Sequence, residues 1–323
     1  MWISRQELES PKRFRENFSS YIASIQTEIR ENHGIYFDEE EIGDLILSAL
    51  RSNDLNVLER EGRRFRVNTE KVNDWINEKL IPNTLVLSLD DVDIVRLLLF
   101  CIEITYEMFS GGSMATVTQK GFRERRRTFE SILVDHFVGK LGEVFVKKFL
   151  ENKFGVKVEL DWRISTEIEE FKNDILNARK AVSIKTSPNL AGIWAEADKG
   201  YDYGVMIKCS VPKQPIIQFF IEVCGFTRLL DFAESKIPKN DETFVEYLEN
   251  IRDRVRKYKC GEIQTKLKGF ICGYFRTEDY EPSRLGTKLP YLGEVREERY
   301  IVPVSELKWR REDWKEFTGI LER

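Results

Sequence analysis

The sequence predicts a mixed α/β protein: a long helix, a β-meander, a second helix and a further strand form the core, behind a mainly helical N-terminal region. Three observations carry this reading. Up to residue 110 apolar residues recur at helical spacing, with Ser, Asp and Pro where helix starts need them. Beyond residue 128 one more helical stretch gives way to short runs of strand character, the clearest alternation being at 156–162. Between the two regimes lies Ser110-Gly111-Gly112-Ser113, a linker or loop composition. The expected division is therefore 1–110 and 111–323.

Bulk properties narrow the class. At 323 residues the chain is long for one core and comfortable for two domains. With 41% hydrophobic and 33% charged residues it reads as a soluble globular protein. Met1-Trp2-Ile3 leads straight into a helix cap at Ser4, so no signal peptide is expected. The most apolar run, 94–109, is interrupted by Arg96, Glu103 and Glu107, which fits a buried helix rather than a membrane span. Cys101, Cys209, Cys224, Cys260 and Cys272 form no closely spaced pair and read as reduced core residues of a cytoplasmic protein. His33 and His136 are too far apart to suggest zinc. A net charge of −4 does not exclude nucleic acid, because binding needs a local basic patch rather than a positive total.

The N-terminal elements follow in order. Ser10-Pro11 starts a helix to about residue 32. Asp38, with Glu41 in the reciprocal position, caps a second over 39–50. Residues 57–67 form a hairpin turning near Gly62, with Arg60, Arg63, Arg64 and Arg66 at its tip, and a third helix spans 69–80. Helices followed by a basic hairpin fit a winged-helix-like DNA reader or a plain helical bundle. Ser88 and Asp91 open the long apolar helix to about residue 110. Lys120, Arg123, Arg125, Arg126 and Arg127 then crowd the approach to the next helix. Cations oppose the dipole at a helix start, so stability does not ask for them, and phosphate contact explains them.

The α/β region begins with a helix over 128–153 whose apolar side carries Ile132, Phe137, Leu141, Val144, Phe145 and Phe149. Strands are expected at 156–162, 174–176, 180–186, 203–211, 216–223, 268–275 and 299–304, with short helix 188–197 and charged helix 243–259 between them. In the strand ending at Lys185, Val182 and Ile184 face the core, so Ser183 and Lys185 share the opposite face. A turn at Ala178-Arg179 would set Asp174 opposite Ser183, with Cβ atoms about 5 Å apart. Glu143 joins them if its helix packs over that end of the sheet. Gly139 and Gly142 each cost a helix about 1 kcal/mol relative to alanine, which signals a close approach there. Two carboxylates and a lysine gathered from separate elements can hold Mg²⁺ through oxygens and activate water against a phosphodiester. Other notable residues read as structural: His136, the Trp309 and Trp314 pair that packs a terminal helix, and Glu222 in an apolar strand.

The order helix, meander, helix, strand, with Glu143, Asp174 and Lys185 at these places, resembles the PD-(D/E)XK nuclease superfamily over about residues 128–211. The resemblance implies a PD-(D/E)XK-like core in which Glu143 is the helix acid, Asp174 the first motif acid and Lys185 the motif lysine. Two departures stand out. Asn173 replaces the proline before the first acid, and Ser183 replaces the acid two residues before the lysine. A subgroup of type II restriction endonucleases likewise has serine there, with a glutamate of the following helix substituting. Here Glu196 would supply that ligand, with Asp198 as the alternative. The resemblance thus implies a Mg²⁺-dependent endonuclease that cuts double-stranded DNA, most like a type II restriction enzyme acting as a homodimer, with no membrane association. A modification-dependent or structure-selective nuclease and a non-catalytic DNA-binding protein with a degenerate nuclease fold are the alternatives.

Overall fold

The computed structural model describes residues 1–62, 64–89, 91–110, 129–163, 173–209, 211, 231, 233–235, 242–257 and 266–322. Near the N-terminus the caps predict the helices well. Ser4 and Glu7 cap α1 (Arg5–Glu9) reciprocally, and Asp38 and Glu41 do the same for α4 (Glu39–Ser52). The single helix expected over 10–32 is two, α2 (Pro11–Asn17) and α3 (Ser19–His33), broken at Phe18. The hairpin turns at Gly62, at φ +63°, between β2 (Leu58–Glu61) and β3 (Arg64–Val67). A short strand that the sequence did not signal, β1 (Trp2–Ile3), pairs with β3, so the sheet order is β1-β3-β2. Next, α5 (Thr69–Trp75) continues as a π turn to Leu80.

The order of helices and hairpin is the expected one, but the accessible surface that a DNA-reading helix needs is not there. In helix-turn-helix modules the recognition helix lies in the major groove. The helix in that place is α4, of which residues 41–43 and 45–50 are buried, and its first turn holds Glu39, Glu40 and Glu41. A buried, acidic helix cannot enter a groove. The hairpin remains exposed at Arg60, Arg64 and Arg66, whereas Arg63 lies outside the described residues.

The main sheet is mixed. Its order is β4-β8-β7-β5, from β4 (Thr84–Ser88), β8 (Lys266–Arg276), β7 (Tyr203–Cys209) and β5 (Val182–Ser187). Strands β5 and β7 run parallel and the other neighbours antiparallel. Helices α6 (Val92–Ser110) and α7 (Phe129–Phe154) cover one face, where Leu97, Leu141 and Phe145 meet Val182, Ile184 and Ile207. The other face meets Ile46 and Leu50 of α4 and a two-stranded sheet, β6 (Trp194–Asp198) with β11 (Arg299–Pro303). Before β11 in the chain come the charged helix α8 (Glu242–Lys257) and a small hairpin of β9 (Lys288–Leu289) with β10 (Gly293–Glu294). The last helix, α9 (Arg311–Thr318), is seated by Trp314, whose ring is 5.1 Å from both Phe149 and Tyr274, as the terminal tryptophans predict. Strand β4 and helix α6 precede residue 110 yet belong to this sheet and core, so the division expected there falls within shared packing.

Two expectations need correction. Residues 188–197 are not a helix. They form a turn, closed by Gly192 N–H donating to the Asn189 carbonyl at 3.1 Å, and then β6. Ala195 and Ala197 point inward and Trp194, Glu196 and Asp198 outward, a period of two obscured by the helix-favouring alanines and glutamate. Residues 156–162 make only one bridge, Leu160 to Ile175, rather than a full strand. Cys101, Cys209 and Cys272 are buried free thiols, and Cys224 and Cys260 fall outside the described residues. Among the described residues no helix is long and apolar enough to cross a membrane.

Candidate active site

Helix α7 approaches β5 through a missing side chain. A Cβ at Gly142 would lie 1.8 Å from Thr186 Oγ1, and that hydroxyl donates to the Gly139 carbonyl at 3.1 Å. The approach signalled by the two glycines is therefore made at Gly142, by the sheet, while an added Cβ at Gly139 meets nothing within 4 Å. Glu143, the next residue, is held beside β5 as a result.

The expected meander is reduced to isolated backbone contacts, and 174–176 is not a strand but a single bridge at Ile175. Leu176 N–H donates to the Glu159 carbonyl at 2.7 Å, and Asp174 N–H to the Val182 carbonyl at 3.0 Å. Asn173, at the place where the resemblance leads one to expect proline, ties the turn together. Its Oδ1 accepts from Ile175 N–H and Val182 N–H at 3.2 and 3.0 Å, and its amide donates to the Lys180 carbonyl at 3.1 Å. Asp174 Oδ2 accepts from Ile184 N–H at 2.6 Å. Asp174 thus reaches Val182 through its backbone and Ile184 through its carboxylate, beside Ser183, while the turn lies at Leu176-Asn177, closed by Ala178 N–H to the Ile175 carbonyl, and not at Ala178-Arg179.

Glu143, Asp174, Ser183 and Lys185 line one open cleft of about 400 Å³. Among the wall residues that sequence reasoning overlooked are Lys140, Asp135, Asp161, Arg163 and Tyr201. Lys140 was findable, because it stands one helical turn before Glu143. Asp161 ends the alternating run at 156–162, and Tyr201 carried no signal. His136, expected to be structural, also borders the cleft.

Glu196 is elsewhere. It stands on β6 with its carboxylate 2.7 Å from an Arg299 guanidinium nitrogen of β11. The acid that meets the motif lysine is Asp198, whose Oδ2 is 2.7 Å from Lys185 Nζ. The helix meant to carry the substituting glutamate is a strand, and its outward side chains spread along β11 instead of converging on Asp174.

Two of the cleft acids are strained electrostatically. Burial pushes the Glu143 carboxyl up to about 8, and the neighbouring charges of Asp174 and Asp161 add to burial and outweigh the Lys140 ammonium. Burial likewise raises Asp174, against the Ile184 N–H and the positive charges of Lys140 and Lys185. Asp161 goes the other way, held below its ordinary range chiefly by Arg163, which grips it at 2.9 and 2.8 Å. Among the described residues no three His, Cys, Asp or Glu side chains are grouped to hold a metal ion.

No family model, curated protein or solved structure matches this chain. Its chemistry must be argued from the cleft itself. Of the basic residues assigned to DNA, Lys120, Arg123, Arg125, Arg126, Arg127 and Arg63 lie outside the described residues, as does Glu222, and Arg64 is exposed on β3.

Proposed function

We propose that the protein is a Mg²⁺-dependent endonuclease that hydrolyses phosphodiester bonds of double-stranded DNA, with a PD-(D/E)XK-like core and the manner of a type II restriction enzyme. The observation that carries this reading is the convergence of Glu143 from α7, Asp174 from the meander and Lys185 from β5 on one open cleft. The donor set fits the ion: carboxylate oxygens suit Mg²⁺, and burial raises both acids in spite of the nearby Lys140 and Lys185 ammoniums, so further positive charge would stabilise their ionised forms.

In this reading Glu143 and Asp174 hold the ion, with Ser183 beside them as a neutral oxygen. When bound, the ion acidifies the attacking water and offsets charge on the scissile phosphate. Lys185 orients that water and neutralises the phosphate oxygens. Asp198 positions the Lys185 ammonium. The DNA partner is taken up by basic groups around the cleft, and a homodimer would cut both strands.

A second reading has an observation of its own. The buried Ser183, only 1% exposed, replaces a motif acid, and no described acid trio forms. That favours a non-catalytic DNA-binding protein built on a degenerate nuclease core. Incubating the purified protein with unmethylated phage DNA, in Mg²⁺ and in EDTA, separates the readings. Discrete Mg²⁺-dependent fragments support the restriction enzyme. Cutting confined to methylated or branched DNA points to the modification-dependent or structure-selective nuclease, and binding without any cutting to the degenerate fold.

A further inference from the structure

Lys140 is a charged residue of the cleft that the proposed chemistry does not use. Its Nζ lies 2.5 Å from Glu143 Oε2 and also donates to the Asp161 carbonyl. The rings of Trp162 and Phe100 stand 5.2 and 5.5 Å from that nitrogen, so two aromatic faces and two oxygens box it in. The side chain is only 10% exposed. Its charge acts favourably on Glu143, Asp174 and Asp161 together.

A lysine one turn from a glutamate on a solvated helix face gains little and stays mobile. Burying the ammonium costs hydration as well. What this ammonium does is neutralise a group of acids that converge from three elements. A divalent ion held by the Glu143 carboxylate would stand within a few ångströms of this ammonium, and two cations so close in a small, partly buried volume repel each other.

We propose that Lys140 is a built-in competitor of the divalent ion: its ammonium holds the cation position beside Glu143 and Asp174 in the metal-free protein and leaves when the ion binds. The inference rests on the reading of the cleft as a Mg²⁺ centre. It also accounts for the lack of a ready-made acid trio, since Glu143 is turned to its own helix and the Asp161 carboxylate to Arg163. The outcome is a protein whose acids are compensated without metal and whose metal affinity is set lower than the acids alone would give.

The test is direct Mn²⁺ binding by isothermal titration of the full chain after EDTA treatment, in wild type, Lys140→Met and Lys140→Gln, with circular dichroism to confirm folding. The glutamine keeps a donor for Glu143 without the charge. Both variants should bind Mn²⁺ at least tenfold more tightly than wild type, and Asp174→Asn should abolish that binding. In the unsubstituted protein, saturating Mn²⁺ should raise acetylation of Lys140 several-fold, read by peptide mass spectrometry. Equal or weaker Mn²⁺ binding by both variants, or Lys140 labelling indifferent to Mn²⁺, overturns the competitor role. If wild type still binds Mn²⁺ through Asp174, the metal centre survives that result. No Mn²⁺ binding in any of the proteins overturns the competitor and the metal reading together.

Discussion

Gly142 of α7 lies so close to Thr186 of β5 that a Cβ on the glycine would fall 1.8 Å from the threonine Oγ1. This contact sets the height of the helix over the strand and therefore where Glu143 stands relative to Asp174. Gly142→Ala should destabilise the fold by about 1–3 kcal/mol through overpacking, and Thr186→Ala in the same chain should recover part of the loss. Gly139→Ala adds its methyl where nothing lies within 4 Å and should stabilise the helix by up to about 1 kcal/mol. Urea denaturation of the three variants checks the contrast.

The raised Glu143 predicts a pH dependence of stability. Its carboxyl titrates near 8 in the folded protein against an ordinary 4.5. Between those values the folded chain holds a proton that the unfolded chain has released, so this group's contribution to stability falls as pH rises. The slope reaches about 1.4 kcal/mol per pH unit at most. In EDTA, wild type should lose stability relative to Glu143→Gln between pH 5 and 8. Parallel urea midpoints for the two proteins across that range would show that burial does not govern this carboxyl.

Lys79 and Asp54 form a buried ion pair at 2.6 Å, 1% and 4% exposed, with Trp75 Nε1 donating to the same carboxylate oxygen at 3.1 Å. Lys79 also donates to the Val304 carbonyl at 3.3 Å, which fastens the N-terminal helices to the turn that follows β11. Asp54→Ala leaves a buried ammonium without its partner and should cost about 3–5 kcal/mol. Calorimetric melting of the variant measures it.

Lys185 is paired with Asp198, while Glu196 is paired with Arg299. Plasmid cleavage should therefore respond to Asp198→Asn, about tenfold or more through misplacement of the Lys185 ammonium, and hardly at all to Glu196→Gln. The opposite order would restore Glu196 as the substituting ligand.

What the sequence made legible was local. Capping residues such as Ser4, Asp38 and Glu41 act within one turn, and their helices begin where expected. Alternation at Val182, Ser183, Ile184 and Lys185 is likewise a property of one strand, and the cleft gathers Glu143, Asp174 and Lys185. What it hid depends on partners distant in the chain. Residues 194–198 have a helix-favouring composition, and only pairing with β11, about a hundred positions later, makes them a strand. Burial of α4 similarly comes from contacts that span both halves, such as Ser48 Oγ donating to the Gly192 carbonyl at 2.7 Å. Lys140 was visible as a spacing, but its role depends on Asp161 and Trp162, which another segment brings to it.

Glu143, Asp174 and Lys185 are proposed to form one hydrolytic centre. The most direct test is the rate of supercoiled plasmid cleavage at saturating Mg²⁺ by wild type, Glu143→Gln, Asp174→Asn and Lys185→Met, each confirmed as folded. Wild type should cut with Mg²⁺, and each variant should lose about 10² or more of that rate. A wild type that cuts equally well in EDTA, or an Asp174→Asn protein that cuts at the wild-type rate, would contradict it.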